Sequence, residues 1–168
     1  MPALTARPMT LGMLPGGATG TSVTLNHMVK LARDGAKDPI VIQTARALVR
    51  DVPQYDRAGE IRALFEYVRD GIRYTNDPLG VELLTTPRAT IEMGAGDCDE
   101  KATLLASLLR AIGRPSRFLA VAMHGSDLYS HVLVQTPWGK GWLSLETIKP
   151  VDMGWSPAGV TKAMVRNV

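Results

Sequence analysis

The stretch Gly94-Ala95-Gly96-Asp97-Cys98-Asp99-Glu100-Lys101 holds the only cysteine of the chain. Two glycines precede the cysteine, and an apolar, helix-forming run over residues 102–112 follows it. A helix N-terminus carries about half a positive charge and several unpaired N–H groups. Both favour thiolate over thiol, so a cysteine placed there is expected to titrate below its free value of about 8.5. The same placement also fits a small buried apolar residue, which is what most lone cysteines are. These residues leave both readings open.

Outward from the cysteine, Ala102, Leu105, Leu108, Leu109 and Ile112 recur at helical spacing and mark a core helix. Gly113 suits its C-terminal cap, and Pro115 prevents continuation. Downstream the period changes. Residues 117–123 read as a strand and 124–130 as a loop. Residues 131–136 read as a second strand, 137–141 as a hairpin turn and 142–148 as a third strand. In the third strand Trp142, Ser144 and Glu146 share one face. Upstream, helices are expected over residues 24–33, from Asp38-Pro39 to about residue 50, and from Asp56 or Arg57 to Gly71. The last of these carries the stripe Ile61, Leu64, Phe65, Val68, Ile72. Residues 74–96 form a long irregular stretch, with one helical turn over 90–93. Helices followed by an antiparallel meander make an α+β layout.

The chain has 168 residues, 45% apolar and 21% charged, which suits one globular domain. The expected organisation is an extended arm over 1–22, a single domain over 23–149 and a tail over 150–168. The arm holds Leu4, Met9, Leu11, Met13 and Leu14, so it reads either as a frayed terminus or as a segment that orders on a protein partner. The net charge of +3 is spread out and aromatics are only 5%, which argues against a nucleic-acid surface. No apolar run reaches membrane-span length. No secretory leader is visible, and one cysteine allows no internal disulfide. A cytoplasmic location is the expectation. Asp97, Asp99 and Glu100 are explained by the helix dipole, and no His/Cys/Asp spacing calls for a metal or another cofactor.

A nucleophilic cysteine needs a base and a group that orients the base. Of the three histidines, His27 sits in the first helix, His124 in a loop and His131 at a strand start. A hairpin centred on residues 138–140 pairs positions whose numbers add to about 277 or 278. That brings His131 and Glu146 together at one end of the hairpin, where Cys98 can join them. His124, Asp127 and Tyr129 either line a cleft beside His131 or form a plain polar loop.

These motifs together resemble the transglutaminase-like superfamily. The resemblance rests on Gly96-Asp97-Cys98-Asp99-Glu100, the helix ending Leu108-Leu109-Arg110-Ala111-Ile112-Gly113, Ser130-His131-Val132 and Trp142-Leu143-Ser144-Leu145-Glu146. The lead-in Tyr67-Val68-Arg69-Asp70-Gly71-Ile72-Arg73-Tyr74 is similar too. The resemblance implies a papain-like α+β core with a Cys-His-Asp triad: Cys98 as nucleophile, His131 as base and acid. The third position is usually Asp, whereas here Glu146 matches it, with Asp152 as the alternative. The family's oxyanion hole implies the Cys98 N–H plus an upstream donor, for which Tyr74 is the candidate beside a plain packing role. Asp97 and His124 are the candidate substrate contacts.

Such proteins cross-link, cleave or deamidate protein or peptide substrates through a thioester, and some have lost activity and serve in assembly. The expected function is therefore a cysteine hydrolase of peptide or amide bonds, more hydrolytic than cross-linking. The alternative is a non-catalytic assembly protein on the same fold, docking through residues 1–22. Small chains of this pattern occur in bacterial and bacteriophage genomes, which adds a virion-associated role and location to the expectations.

Overall fold

The computed structural model of the chain describes residues 9–10, 16–78 and 83–168. Of the expected arm, residues 1–8 and 11–15 lie outside the described residues. Five helices are described: α1 (Gly17–Gly35), α2 (Pro39–Val49), α3 (Arg57–Glu66), α4 (Pro87–Met93) and α5 (Cys98–Ala111). Four short strands make two ribbons. β1 (Met9–Thr10) pairs antiparallel with β3 (Leu83–Leu84), and β2 (Arg73–Tyr74) pairs parallel with β4 (Ala95–Gly96). The main sheet is antiparallel, with β5 (Arg117–Met123) and β6 (His131–Trp138) in its centre. β7 (Gly141–Leu145) and β8 (Val160–Asn167) form its edges. The architecture is α+β, with Cys98 opening the helix that packs on this sheet.

Helix α5 is the centre of the core. Ala102, Leu104, Leu105, Ala106, Leu108 and Leu109 are fully buried in it, and α1, α2, α4 and β6 pack around it. Its ends are closed locally. Asp97 accepts from the N–H groups of Asp99 and Glu100, while the Glu100 carboxylate accepts from the Asp97 N–H at 2.9 Å, a complete capping box. At the other end Gly113 adopts φ +78°. The N–H groups of Arg114 and Gly113 then reach back to the carbonyls of Leu109 and Arg110.

The other helix starts follow the same logic. Asp38 caps α2 by accepting from the Ile40 N–H, and Asp56 caps α3 by accepting from the Gly59 N–H. Helix α4 spans two turns rather than the single turn expected, because Thr86 caps it and Pro87 suits its first position.

Three elements differ from the sequence expectations. Helix α1 starts at Gly17 and not near residue 24, so residues 17–22 belong to it and not to an arm. Gly17 and Gly20 are weak helix formers. Packing overrides that weakness: Leu25, Met28 and Ala32 are buried, and Arg166 of β8 donates to Ser22 Oγ at 2.6 Å and to Asn26 Oδ1 at 3.2 Å.

The α3 stripe does not run on as one α-helix, because residues 67–71 form a π-helical turn. The wider turn still buries Val68 and Ile72. Lys101, 2% exposed, donates to the carbonyls of Ile72 at 2.7 Å and Arg69 at 3.1 Å, which satisfies acceptors that the helix end would otherwise leave unpaired.

The tail is not irregular throughout. Val160–Asn167 pairs with β5 along its whole length, with a shift in register at Ala122/Met123.

Truncating Leu105 removes a fully buried side chain from the centre of this packing. Leu105→Ala is expected to cost about 2–5 kcal/mol. Urea unfolding should show a lower midpoint at unchanged slope, and a midpoint equal to that of the parent would show that α5 is not the core.

Candidate active site

Cys98 is the first residue of α5 and His131 the first of β6, so each is held at the end of a regular element. Both line one cavity of about 360 Å³, with Asp77, Asp97 and Asp99 at its acidic side and Tyr129, Ser130 and Val132 beside His131. Glu146 follows the last residue of β7. The ladder between β6 and β7 ends at Val134–Leu145, and its paired positions add to 134 + 145 = 279 rather than the expected 277 or 278. Extended at that register, His131 would face residue 148. Glu146 is therefore its diagonal neighbour on the same face, at a spacing that only a long side chain bridges. The glutamate does bridge it: Glu146 Oε2 lies 2.5 Å from His131 Nε2. Its other oxygen accepts from the Ile148 N–H at 2.8 Å.

The electrostatics fix the imidazole. Glu146 is fully buried, which by itself would raise its pKa. The hydrogen bond and charge of His131, the Ile148 N–H and Lys149 outweigh that burial and hold the carboxyl below its ordinary value. An ionised carboxylate only accepts, so Nε2 must donate. In the neutral ring Nδ1 then carries the lone pair that can take a proton.

Of the two readings the sequence leaves open for the thiol, the electrostatics favour the un-ionised one. Burial pushes the Cys98 pKa up, and the charges of Asp99 and Asp97 push it further, while the Val132 N–H works against them. Sγ donates to Asp99 Oδ1 at 3.5 Å, and a thiol has one hydrogen to give. Desolvation and two carboxylates thus outweigh the helix N-terminus, and the resting group is a thiol and not a thiolate.

Asp97 is raised as well, to about 7. Burial is the largest cause and the charges of Glu100 and Asp77 add to it, while the backbone N–H bonds of the cap oppose it. One carboxylate oxygen from each of Asp77, Asp97 and Glu100 lies within 4.8 Å of the other two. The hydrogen bonds of the capping box and of the Leu83 N–H to Asp77 account for this cluster as local structure.

Tyr74, His124 and Asp152 are not among the residues that line the cavity, although burial, and after it the neighbouring Cys98, Asp97, Asp77 and Asp99, raise the Tyr74 pKa. Tyr74 is 45% exposed and donates to Asn76 Oδ1 at 2.7 Å. His124 occupies a left-handed turn with its ring against Gly159. Asp152 borders a separate groove with Arg69, Asp70 and Trp155. Helix α1 supplies lining that the sequence reading did not assign: Gly17, Gly20, Thr21, Thr24, Leu25 and Met28. Their spacing at one helical face is the signal that finds them, once the helix is extended upstream of residue 24.

Residues 44–147, more than half of the chain, match the transglutaminase-like superfamily, and the chain belongs to that superfamily. No significant relative was found among curated proteins. Two crystal structures share the fold. One is a putative protease from Parabacteroides distasonis, with TM-score 0.52 and 18% identity, over 67% of this chain and 24% of that one. The other is a putative cysteine protease from Cytophaga hutchinsonii, with TM-score 0.51 and 16% identity, over 76% of this chain and 50% of that one. The chain thus corresponds to half or less of the length of these proteins. Among the described residues no helix is long and apolar enough to cross a membrane.

The raised Asp97 carboxyl gives a pH signature. An unfolded aspartate titrates near ~3.9, so between about pH 4 and 7 the folded chain keeps a proton that the unfolded chain releases. The stability tied to that proton is complete below the unfolded value and is lost as pH rises through about 7. Asp97→Asn keeps a competent cap and removes the titration. Its melting temperature relative to the parent is expected to rise as the pH is taken from about 4 to about 8. A constant difference across that range would contradict the raised value.

Proposed function

We propose that the chain is a cysteine hydrolase of peptide or amide bonds that works through a thioester, with water as the usual acceptor. The observation that carries this reading is one cavity shared by Cys98 and His131, with His131 held by a buried glutamate. Because the resting thiol is protonated, His131 acts as a general base during attack and not as one half of a preformed ion pair.

Nδ1 takes the Sγ proton as sulfur bonds to the substrate carbonyl carbon. The Cys98 N–H opens α5 and is not used by the Asp97 cap, so it is the donor proposed for the developing oxyanion. As the tetrahedral intermediate collapses, the C–N bond breaks and His131 returns its proton to the departing amine. Water then gives a proton to His131 and its oxygen attacks the thioester. The carboxylic product leaves, and the proton goes back to sulfur. Glu146 stabilises the imidazolium that forms in each half.

A second reading has its own support. The half-buried, protonated thiol bonded to Asp99 also suits a non-catalytic assembly protein that keeps the fold. Incubation with a casein peptide digest, followed by mass spectrometry, separates the two readings. The hydrolase should release new termini. Cys98→Ala and His131→Ala should each lower that rate at least about a thousandfold, and Glu146→Gln about a hundredfold or more. Cleavage that persists in Cys98→Ala, or no cleavage by the parent together with a Cys98 inert to iodoacetamide, would reject the hydrolase.

A further inference from the structure

We propose that the N-terminal half of α1 is the wall that selects the acyl group of the substrate, and that the site takes a small, non-acidic one. The proposal rests on the thioester chemistry above and names the substrate class of that same site.

The cavity has two sources in the chain. Cys98 and His131 come from within residues 44–147, the stretch that defines the superfamily. The facing residues Gly17, Gly20, Thr21, Thr24, Leu25 and Met28 come from α1, before that stretch begins. They recur at three- and four-residue intervals and share one helical face. The face changes character along its length. At its start nothing is larger than threonine, and the Thr21 hydroxyl is already bonded to the Gly17 carbonyl at 3.1 Å. Further along, Leu25 is 1% exposed and Met28 fully buried, with Ala120 of β5 beside them.

An acyl group bound here meets small side chains first and an apolar floor beyond them. Asp77 and Asp97 line the same cavity, and among its described lining residues there is no lysine or arginine. An acidic acyl group would therefore meet like charge with no lysine or arginine to offset it, a cost in a partly dry cavity. A volume of about 360 Å³ suits one residue and the start of the next.

Two thiol reagents of different size test this. Iodoacetamide, which carries no side chain, reports the nucleophile alone. Benzyloxycarbonyl-alanyl chloromethyl ketone carries an acyl residue and alkylates the same sulfur, forming the S–C bond as chloride leaves. Thr21→Phe is expected to slow the ketone at least about tenfold, the scale of a misfit of a methylene or two, with iodoacetamide little changed. Thr21→Ala should leave the ketone as fast or faster. The aspartyl analogue of the ketone should react more slowly than the alanyl one with the parent protein.

If Thr21→Phe fails to fold, as judged by its thermal transition, Thr21→Leu carries the same comparison. Equal slowing of both reagents, no effect on either, or no preference for alanyl over aspartyl would overturn the wall. A parent protein whose Cys98 resists both reagents would instead overturn the hydrolase reading, and the wall with it.

Discussion

The structure depends on how one buried helix is started. Helix α5 is covered on nearly every side, so the free N–H groups of its first turn cannot all rely on bulk water. Asp97 and Glu100 answer this reciprocally, each side chain accepting from the other's backbone. The same bonds fix the direction in which the chain enters the helix, and so the position of Cys98. The parallel pairing of β2 with β4 holds the two residues just before Asp97, and Lys101 ties the helix to the π turn after α3. Cap, ribbon and lysine lie within a few residues of the sulfur. Rigidity at that point is a consequence of satisfying buried polar groups.

That solution has an electrostatic side. Burial opposes ionisation of the sulfur most, and Asp99 and the cap residue Asp97 beside it add to that. In the proposed hydrolysis, proton transfer accompanies bond formation, and His131 is the group that takes the proton. Its partner suits that role, since Glu146 is ionised, fully buried and bonded to Nε2, which leaves Nδ1 as the nitrogen that can take a proton. A glutamate in place of an aspartate is explained by register: the two residues are diagonal neighbours, and the longer side chain covers the offset.

Much of this could be read from residues in order. The α5 stripe, its glycine end, the Asp38-Pro39 and Asp56 starts and the alternation in β5 to β7 are local signals, and they mark the elements where they stand. The pairing of His131 with Glu146 followed from the hairpin to within one or two positions. What was not legible depends on distant contacts. The start of α1 is hidden by two glycines whose weakness is offset by β8 and the core. A π turn adds a residue to a helical turn, and no residue type announces it. Strand β8 is exposed on most positions, so it shows no clear alternation. The sequence left the thiol open between an activated thiolate and a buried residue, because it displays Asp97 and Asp99 but not the burial that makes their charges count.

The contact between α1 and β8 also has a bearing on synthesis. Arg166 holds Ser22 and Asn26, and β8 forms the edge of the main sheet beside β5. Partners so far apart in sequence meet late, after the local helices and the β6–β7 hairpin have formed. On the ribosome the nascent chain cannot complete its sheet until residue 167 has emerged. Until then α1 can rest on α5, but the half of it that lines the cavity around Cys98 lacks the two bonds that Arg166 gives it.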